Sequence, residues 1–148
     1  ELTTGDWQES ISVNLTSAYQ SVKVMTKALK NASGSIVFVG SAIAFKGHAE
    51  MTHYAAAKAG LHGLAKSLCL AMGPDGVRVN VVAPGLIETP DAEETWDLED
   101  RKAFWAQRAL RKPLTMENVV DAVCFLSGAQ AGAITGQVLV VDGGLVLH

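Results

Sequence analysis

The fold of this chain is decided by residues 35–58, which read SIVFVGSAIAFKGHAEMTHYAAAK. The segment opens with an apolar, β-branched run over residues 35–40, which predicts a short buried strand of a parallel sheet. It closes in an Ala-rich stretch that favours a helix, and this would place Tyr54 and Lys58 on one helix face. Ser41 directly follows the strand, at the carboxyl end where open parallel sheets bind their ligands. These three side chains can therefore act on one site.

Tyr54 and Lys58 together indicate proton transfer. A phenol has an ordinary pKa of about 10, and a nearby ammonium group favours the ionised form, so we expect Lys58 to lower the pKa of Tyr54 towards neutrality. A tyrosine tuned in this way can pass a proton to or from an oxygen atom.

With Asn14 upstream, these residues resemble the Asn-Ser-Tyr-Lys tetrad of the short-chain dehydrogenase/reductase family. Further segments follow in the family's order and near its spacings: Asn14-Leu15, Gly34-Ser35-Ile36-Val37, Arg78-Val79-Asn80, Pro84-Gly85 and Val141-Asp142-Gly143-Gly144. A lone Tyr-x-x-x-Lys is common by chance, whereas this ordered set is specific. The resemblance covers nearly every residue and matches the C-terminal part of such a protein.

The resemblance implies an α/β fold in which residues 1–148 form the C-terminal part of a single Rossmann-like domain. This part would be the second half of a doubly wound parallel sheet with flanking helices, and residues 35–83 would make a right-handed βαβ unit. No glycine-rich phosphate loop follows any predicted strand. The N-terminal dinucleotide-binding units are therefore expected to precede Glu1, and the choice between NAD and NADP is open.

The resemblance also implies a role for each member of the tetrad. Tyr54 would be the general acid in reduction and the base in oxidation. Lys58 would lower the pKa of Tyr54 and bind the nicotinamide ribose hydroxyls. Ser41 would polarise the substrate carbonyl, and Asn14 would hold a water that links Lys58 to solvent. The cofactor would be NAD or NADP.

A turn at Pro84-Gly85 follows the second predicted strand. By itself Pro-Gly is only a turn, although a glycine also lets the backbone approach a flat ligand closely. The resemblance makes Pro84, Gly85 and Ile87 part of the backbone that holds the nicotinamide ring and carboxamide. Thr89 would reach the carboxamide or the pyrophosphate.

The other segments carry weaker signals. A helix with an apolar stripe from Ile11 to Leu29 suits packing against another helix, and the resemblance implies a homodimer or homotetramer built on this helix and the one after Tyr54. Residues 42–52 read as a loop that lines a substrate pocket or closes over the core. Residues 91–100 are acidic and are interrupted or followed by Trp96, Phe104 and Trp105, for which our hypothesis is a mobile lid over the substrate. A helix over residues 115–127 and a strand over residues 137–141 complete the pattern.

Composition narrows the function classes. The net charge of −3 and the scattered basic residues argue against a nucleic-acid partner. No apolar run is long enough for a membrane span, so a cytoplasmic protein is expected. Cys69 and Cys124 lie in apolar helical patterns and are expected to be buried free thiols. No metal site is expected, since His48 and His53 have no companion ligands at a suitable spacing.

Two function hypotheses follow. The first is an NAD(P)-dependent oxidoreductase that interconverts a carbonyl and a secondary alcohol by hydride transfer. By resemblance, the three-residue gap between Tyr54 and Lys58 and the alanines around Tyr54 are similar to 3-oxoacyl carrier-protein reductases rather than enoyl reductases, whose gap is longer. The alternative is a truncated, catalytically silent fragment that acts only as an oligomerisation or interaction module.

Overall fold

The computed structural model describes residues 2–147, without the side chains of Asp91 and Glu93, which belong to the predicted acidic segment. Within this range, two or more helices precede each strand. In chain order they are α1 Thr4–Ile11, α2 Ser17–Asn31, β1 Ser35–Val39, α3 Ile43–Lys46, α4 Thr52–Met72, β2 Arg78–Pro84, α5 Pro90–Thr95, α6 Leu98–Ala106, α7 Met116–Ser127 and β3 Val138–Val141.

The strands form a parallel three-stranded sheet in the order β1-β2-β3. Ser35 pairs with Arg78, and Val81 pairs with Val138. The central strand β2 is buried from Val79 onward, as its apolar sequence predicts. The expected α/β class with a parallel sheet and flanking helices is therefore confirmed.

Two apolar clusters cover the two faces of the sheet. On one face, Val79 and Val81 of β2 pack with Leu61 and Ala65 of α4. On the other face, Val82 packs with residues of α7 and the turn after it, namely Val119, Leu126 and Ala131. This layered arrangement leaves the carboxyl ends of the strands open for a site.

The first predicted helix is interrupted. A π-helical turn at Ser12–Thr16 separates α1 from α2. The side-chain amide of Asn14, in this turn, donates a hydrogen bond of 3.1 Å to the carbonyl oxygen of Ser10 in α1. Asn is a poor helix former because its side chain competes for backbone groups, which is consistent with a break here. Leu15 on this turn packs so closely on α4 that a Cβ on Gly60 would lie 2.6 Å from a Leu15 methyl group.

Helix α4 contains the Ala-rich stretch that was predicted to be helical, and the turn after it ends with Gly76 at a φ of 78°, a conformation that favours glycine. Residues 42–52 are not wholly a loop, because they contain the short helix α3. The prediction of two buried thiols is also wrong: Cys69 is half-buried and Cys124 is exposed. The side of α7 that packs on the sheet contains Val119 and Leu126, and Cys124 lies outside it. None of the described helices is long and apolar enough to cross a membrane.

Candidate active site

Ser41 and the first turns of α4 meet beyond the carboxyl end of β1. The Lys58 ammonium nitrogen donates a hydrogen bond of 3.0 Å to the carbonyl oxygen of Val39, the last residue of β1. This bond fixes the first turns of α4 against the end of the strand. Tyr54, one turn before Lys58 on the same helix, is thereby held beside the segment that carries Ser41.

Tyr54 interacts with both of the other side chains. The Tyr54 phenol shares a side-chain hydrogen bond with Ser41. The Ser41 hydroxyl oxygen also accepts a hydrogen bond of 3.3 Å from the backbone N–H of Ile43 at the start of α3. The Lys58 ammonium nitrogen lies 5.4 Å from the centroid of the Tyr54 ring. The structure thus brings Ser41, Tyr54 and Lys58 together.

The pKa of Tyr54 does not follow the sequence-based expectation. Burial of the phenol raises its pKa above the ordinary value of 10.0, and the hydrogen bond with Ser41 offsets only part of this rise. Burial likewise lowers the pKa of Lys58. The Lys58 ammonium group is hydrogen-bonded to the Val39 carbonyl oxygen and lies beside the phenol ring. Its charge therefore does not offset the rise in the Tyr54 pKa that burial causes.

Asn14 is placed differently from the other three residues. Its side-chain amide is occupied by the Ser10 carbonyl oxygen, and its π-helical turn packs on α4 through Leu15 and Gly60, two residues beyond Lys58. Asn14 is therefore joined to the other three through the packing of two elements. Among the described contacts, none links the Asn14 side chain directly to Ser41, Tyr54 or Lys58.

The segment after β2 lies next to this cluster, because the Ala42 N–H donates a hydrogen bond of 2.8 Å to the Pro84 carbonyl oxygen. The Gly85 N–H bonds the Val141 carbonyl oxygen at 2.9 Å. A Cβ on Gly85 would lie 2.8 Å from the Asp142 Cβ, so the chain after β3 fills the space that glycine leaves free. Glycine is required here by Asp142, a reason that differs from the predicted close approach of a ligand.

Beyond Gly85, some polar groups form hydrogen bonds with other described residues and some form none. The Thr89 hydroxyl oxygen accepts a hydrogen bond of 3.2 Å from the Ala92 N–H and caps α5. Within the described residues, the N–H groups of Leu86 and Ile87 donate to no protein acceptor. These two amides and the Thr89 hydroxyl hydrogen are the donors that this segment can offer a ligand.

The aromatic residues of the predicted lid make specific contacts. Phe104 lies edge-on to Trp96, with ring centroids 6.1 Å apart. The Lys46 ammonium nitrogen of α3 lies 5.3 Å from the Phe104 ring centroid. The Trp105 indole N–H donates a hydrogen bond of 3.1 Å to the Glu88 carboxylate. Helix α6 therefore contacts α3, the helix that begins two residues after Ser41.

Sequence reasoning missed three charged residues around this segment. Glu88 pairs with Arg101, and the buried Arg108 donates a hydrogen bond of 2.5 Å to the Leu86 carbonyl oxygen. The signal was present in α6, where Arg101 and Trp105 are four residues apart and hence share one helix face. Among the residues that the structure describes, no group of His, Cys, Asp and Glu is arranged to hold a metal ion.

A parallel sheet flanked by helices, with Ser41, Tyr54 and Lys58 gathered at the end of its first strand, is typical of a Rossmann-like α/β protein. A family model described as enoyl-(acyl carrier protein) reductase matches residues 1–146. The chain belongs to the short-chain dehydrogenase/reductase family.

Relatives and a solved structure agree with this assignment. The chain is 43% identical over 143 residues to the 3-oxoacyl-[acyl-carrier-protein] reductase FabG of Chlamydia pneumoniae, covering 95% of this chain and 56% of that protein. It is 36% identical over 143 residues to FabG of Escherichia coli K12, covering 96% and 58%. A Burkholderia thailandensis oxidoreductase of the short-chain dehydrogenase/reductase family superposes with a TM-score of 0.90 at 38% identity, over 98% of this chain and 57% of the other. The chain thus spans less than two thirds of the length of these proteins.

Proposed function

We propose that this chain carries the catalytic part of an NAD(P)-dependent oxidoreductase that interconverts a carbonyl and a secondary alcohol by hydride transfer. The observation that carries the proposal is the Tyr54 phenol, hydrogen-bonded to Ser41 and one helical turn from Lys58. The names of the curated relatives support 3-oxoacyl thioesters of acyl carrier protein as the substrate class.

Each residue of the cluster has a role that its surroundings support. Ser41 and Tyr54 present two hydroxyl groups that can donate to one carbonyl oxygen. The raised pKa keeps Tyr54 protonated at neutral pH, as an acid that gives its proton to the developing alkoxide must be. The phenolate left behind would then gain from the adjacent Lys58 ammonium. Asn14 would support the return of a proton from solvent.

The segment after β2 fits a nicotinamide cofactor, NAD or NADP, which when bound would supply or accept the hydride. The unused N–H groups of Leu86 and Ile87 suit the carboxamide oxygen, and Pro84 and Gly85 form the turn beside the ring. The Thr89 hydroxyl can still donate while its oxygen accepts from Ala92. Lys58 uses one N–H on Val39 and retains two for ribose hydroxyls.

The test is carbonyl reduction by the intact protein with NADPH and with NADH, followed by loss of reduced-nicotinamide absorbance. A 3-oxoacyl thioester and the matching 2-enoyl thioester are offered separately, because the family model and the relatives carry these two different names. We expect turnover of the 3-oxoacyl thioester alone. Turnover of only the enoyl thioester, or of neither, would contradict the proposal.

The alternative, a silent interaction module, shares one expectation with the enzyme, namely self-association. Val24 on α2 and Leu70 on α4 are 84% and 79% exposed, which supports burial of these helices in a homodimer or homotetramer. Light scattering of the intact protein measures this state, and a dinucleotide titration separates the hypotheses, since a silent module would bind no dinucleotide.

The free thiols of Cys69 and Cys124 fit a cytoplasmic, reducing compartment.

A further inference from the structure

The Glu88 side chain joins the segment after β2 to helix α6. One carboxylate oxygen pairs with Arg101, and the other accepts the Trp105 indole hydrogen bond at 3.1 Å. Since Arg101 and Trp105 are four residues apart, they present the same face of α6 to this carboxylate. One side chain therefore fixes both the position and the rotation of the helix.

This ion pair differs from its neighbour on the same helix. The side chains of Arg101 and Glu88 are only 11% and 17% exposed, whereas the Lys102 and Glu99 side chains, which also form an ion pair, are 51% and 82% exposed. Exposed pairs contribute little because water and salt screen them, while a mostly buried pair is sensitive to the loss of either partner. Glu88 is thus a mostly buried constraint on α6, and Glu99 provides a matched exposed control.

A second set of contacts, made by Arg108, also joins the segment after β2 to α6. Arg108 donates to the Leu86 carbonyl oxygen, and its guanidinium carbon lies 5.3 Å from the Phe104 ring centroid. Phe104 in turn contacts the ammonium group of Lys46 on α3. Residues 86–88 are therefore connected, through Arg108 and Phe104 of α6, to α3, the helix that begins two residues after Ser41.

We propose that Glu88 is a positioning residue that couples the nicotinamide-binding segment to the substrate-side wall formed by α6. The proposal rests on the proposed function, because residues 84–87 must bind the cofactor for the coupling to act. A cofactor that orders residues 84–87 also fixes Glu88 and, through Arg101 and Trp105, sets α6 against the substrate. Substrate affinity then depends on Glu88, whereas the chemical step at Tyr54 does not.

The test compares Glu88→Gln with Glu99→Gln in the intact protein. The first substitution keeps an amide oxygen as an acceptor for Trp105 and removes the charge opposite Arg101. For Glu88→Gln we expect KM for the 3-oxoacyl thioester to rise by on the order of tenfold while kcat stays within about twofold, and we expect Glu99→Gln to match the wild type. An unchanged KM in Glu88→Gln, a fall confined to kcat, or the same KM rise in Glu99→Gln would overturn the proposal.

Amide hydrogen exchange of residues 98–106 tests the anchoring without substrate or turnover. We expect faster exchange in Glu88→Gln than in Glu99→Gln, and slower exchange in the wild type once dinucleotide is added. Equal exchange in the two variants would contradict the anchoring even if the protein reduces ketones. Conversely, faster exchange in Glu88→Gln without any ketone reduction would place the failure in the proposed function. If Glu88→Gln does not fold, Trp105→Phe is measured by the same readouts, because it removes the indole donor to Glu88 and keeps an aromatic ring, although a smaller one.

Discussion

The Lys58 ammonium nitrogen lies 3.0 Å from the Val39 carbonyl oxygen, so a charged group of α4 is bonded to the last residue of β1. The same contact turns the charge towards the strand end and leaves it beside the Tyr54 ring, 5.4 Å from the ring centroid. Lys58 therefore supports the local structure and also lies where it could stabilise a phenolate formed at Tyr54 in the proposed reaction.

Replacing Lys58 by Met gives a prediction about stability and pH. Burial lowers the pKa of Lys58 below its ordinary value of 10.5, so the folded state binds fewer protons here than the unfolded state. The stability linked to this group is fully present above 10.5 and is lost as the pH falls through the folded pKa. Relative to Lys58→Met, the wild type should gain unfolding free energy as the pH rises through this window. Denaturant unfolding of both proteins at several alkaline pH values checks this, and an opposite slope would contradict it.

Tyr54→Phe should abolish most turnover and leave the fold intact. Removing a positioned general acid costs about 10²–10⁴-fold in kcat, while the ring that packs beside Lys58 is kept. Tyr19→Phe is the control, because Tyr19 is an exposed tyrosine on α2 and none of the described contacts joins it to Ser41, Tyr54 or Lys58. Steady-state kinetics and thermal unfolding of the two variants are the measurements. Substantial activity in Tyr54→Phe would remove Tyr54 from the mechanism.

Ser41→Ala should raise the pKa of Tyr54 further. The hydrogen bond with Ser41 opposes the effect of burial, so its loss leaves burial alone to act. Alcohol oxidation needs the phenolate, and its rate in Ser41→Ala should therefore begin to increase only at higher pH than in the wild type. Ultraviolet titration of tyrosinate, with Tyr54→Phe subtracted, reports the same shift directly. A shift to lower pH would show that Ser41 does not stabilise the phenolate.

The sheet and α4 were predictable because each rests on a local pattern. Residues 36–39 and 81–83 are apolar on both faces, which is typical of buried parallel strands, and Gly76 ends the helical segment by its left-handed backbone. The tetrad residues were chosen through a family resemblance that depends on order and spacing. Both kinds of signal are readable along the chain.

What the sequence could not supply is the environment of each group. The pKa of Tyr54 depends on how deeply the phenol is buried compared with how close the ammonium group lies, and no spacing reports that balance. The contacts of Glu88 with α6 join residues that are 13 and 17 positions apart through a loop and two short helices. Such pairings are products of tertiary packing.

Asn14→Ala tests the π-helical turn. The change removes the hydrogen bond to the Ser10 carbonyl oxygen, which should cost about 1 kcal/mol of unfolding free energy, and it allows the turn to become regular helix. Activity should fall by more than this stability loss explains, because Leu15 would shift against Gly60 close to Lys58. Ser17→Ala is the control, since it removes a comparable side-chain bond to the Val13 carbonyl oxygen on the same turn. Equal activity losses in the two variants would argue against a special role for Asn14.

Gly85→Ala should destabilise the protein and disturb cofactor binding together. The added Cβ would lie 2.8 Å from the Asp142 Cβ and 3.1 Å from the Asp142 Cα, so the chain must shift at a cost of about 1–3 kcal/mol. Asp142 cannot move freely, because its carboxylate accepts from the N–H groups of Gly144, Leu145 and Val146.

The shift must therefore be taken up by residues 84–87, which displaces the N–H groups proposed to hold the carboxamide. Gly73→Ala is the matched control, since no atom lies within 4 Å of its added Cβ and its φ of −57° suits alanine. Chemical unfolding and dinucleotide titration of both variants are the measurements. If Gly85→Ala bound dinucleotide as tightly as Gly73→Ala while losing stability, the turn at Gly85 would be structural and would not contact the cofactor.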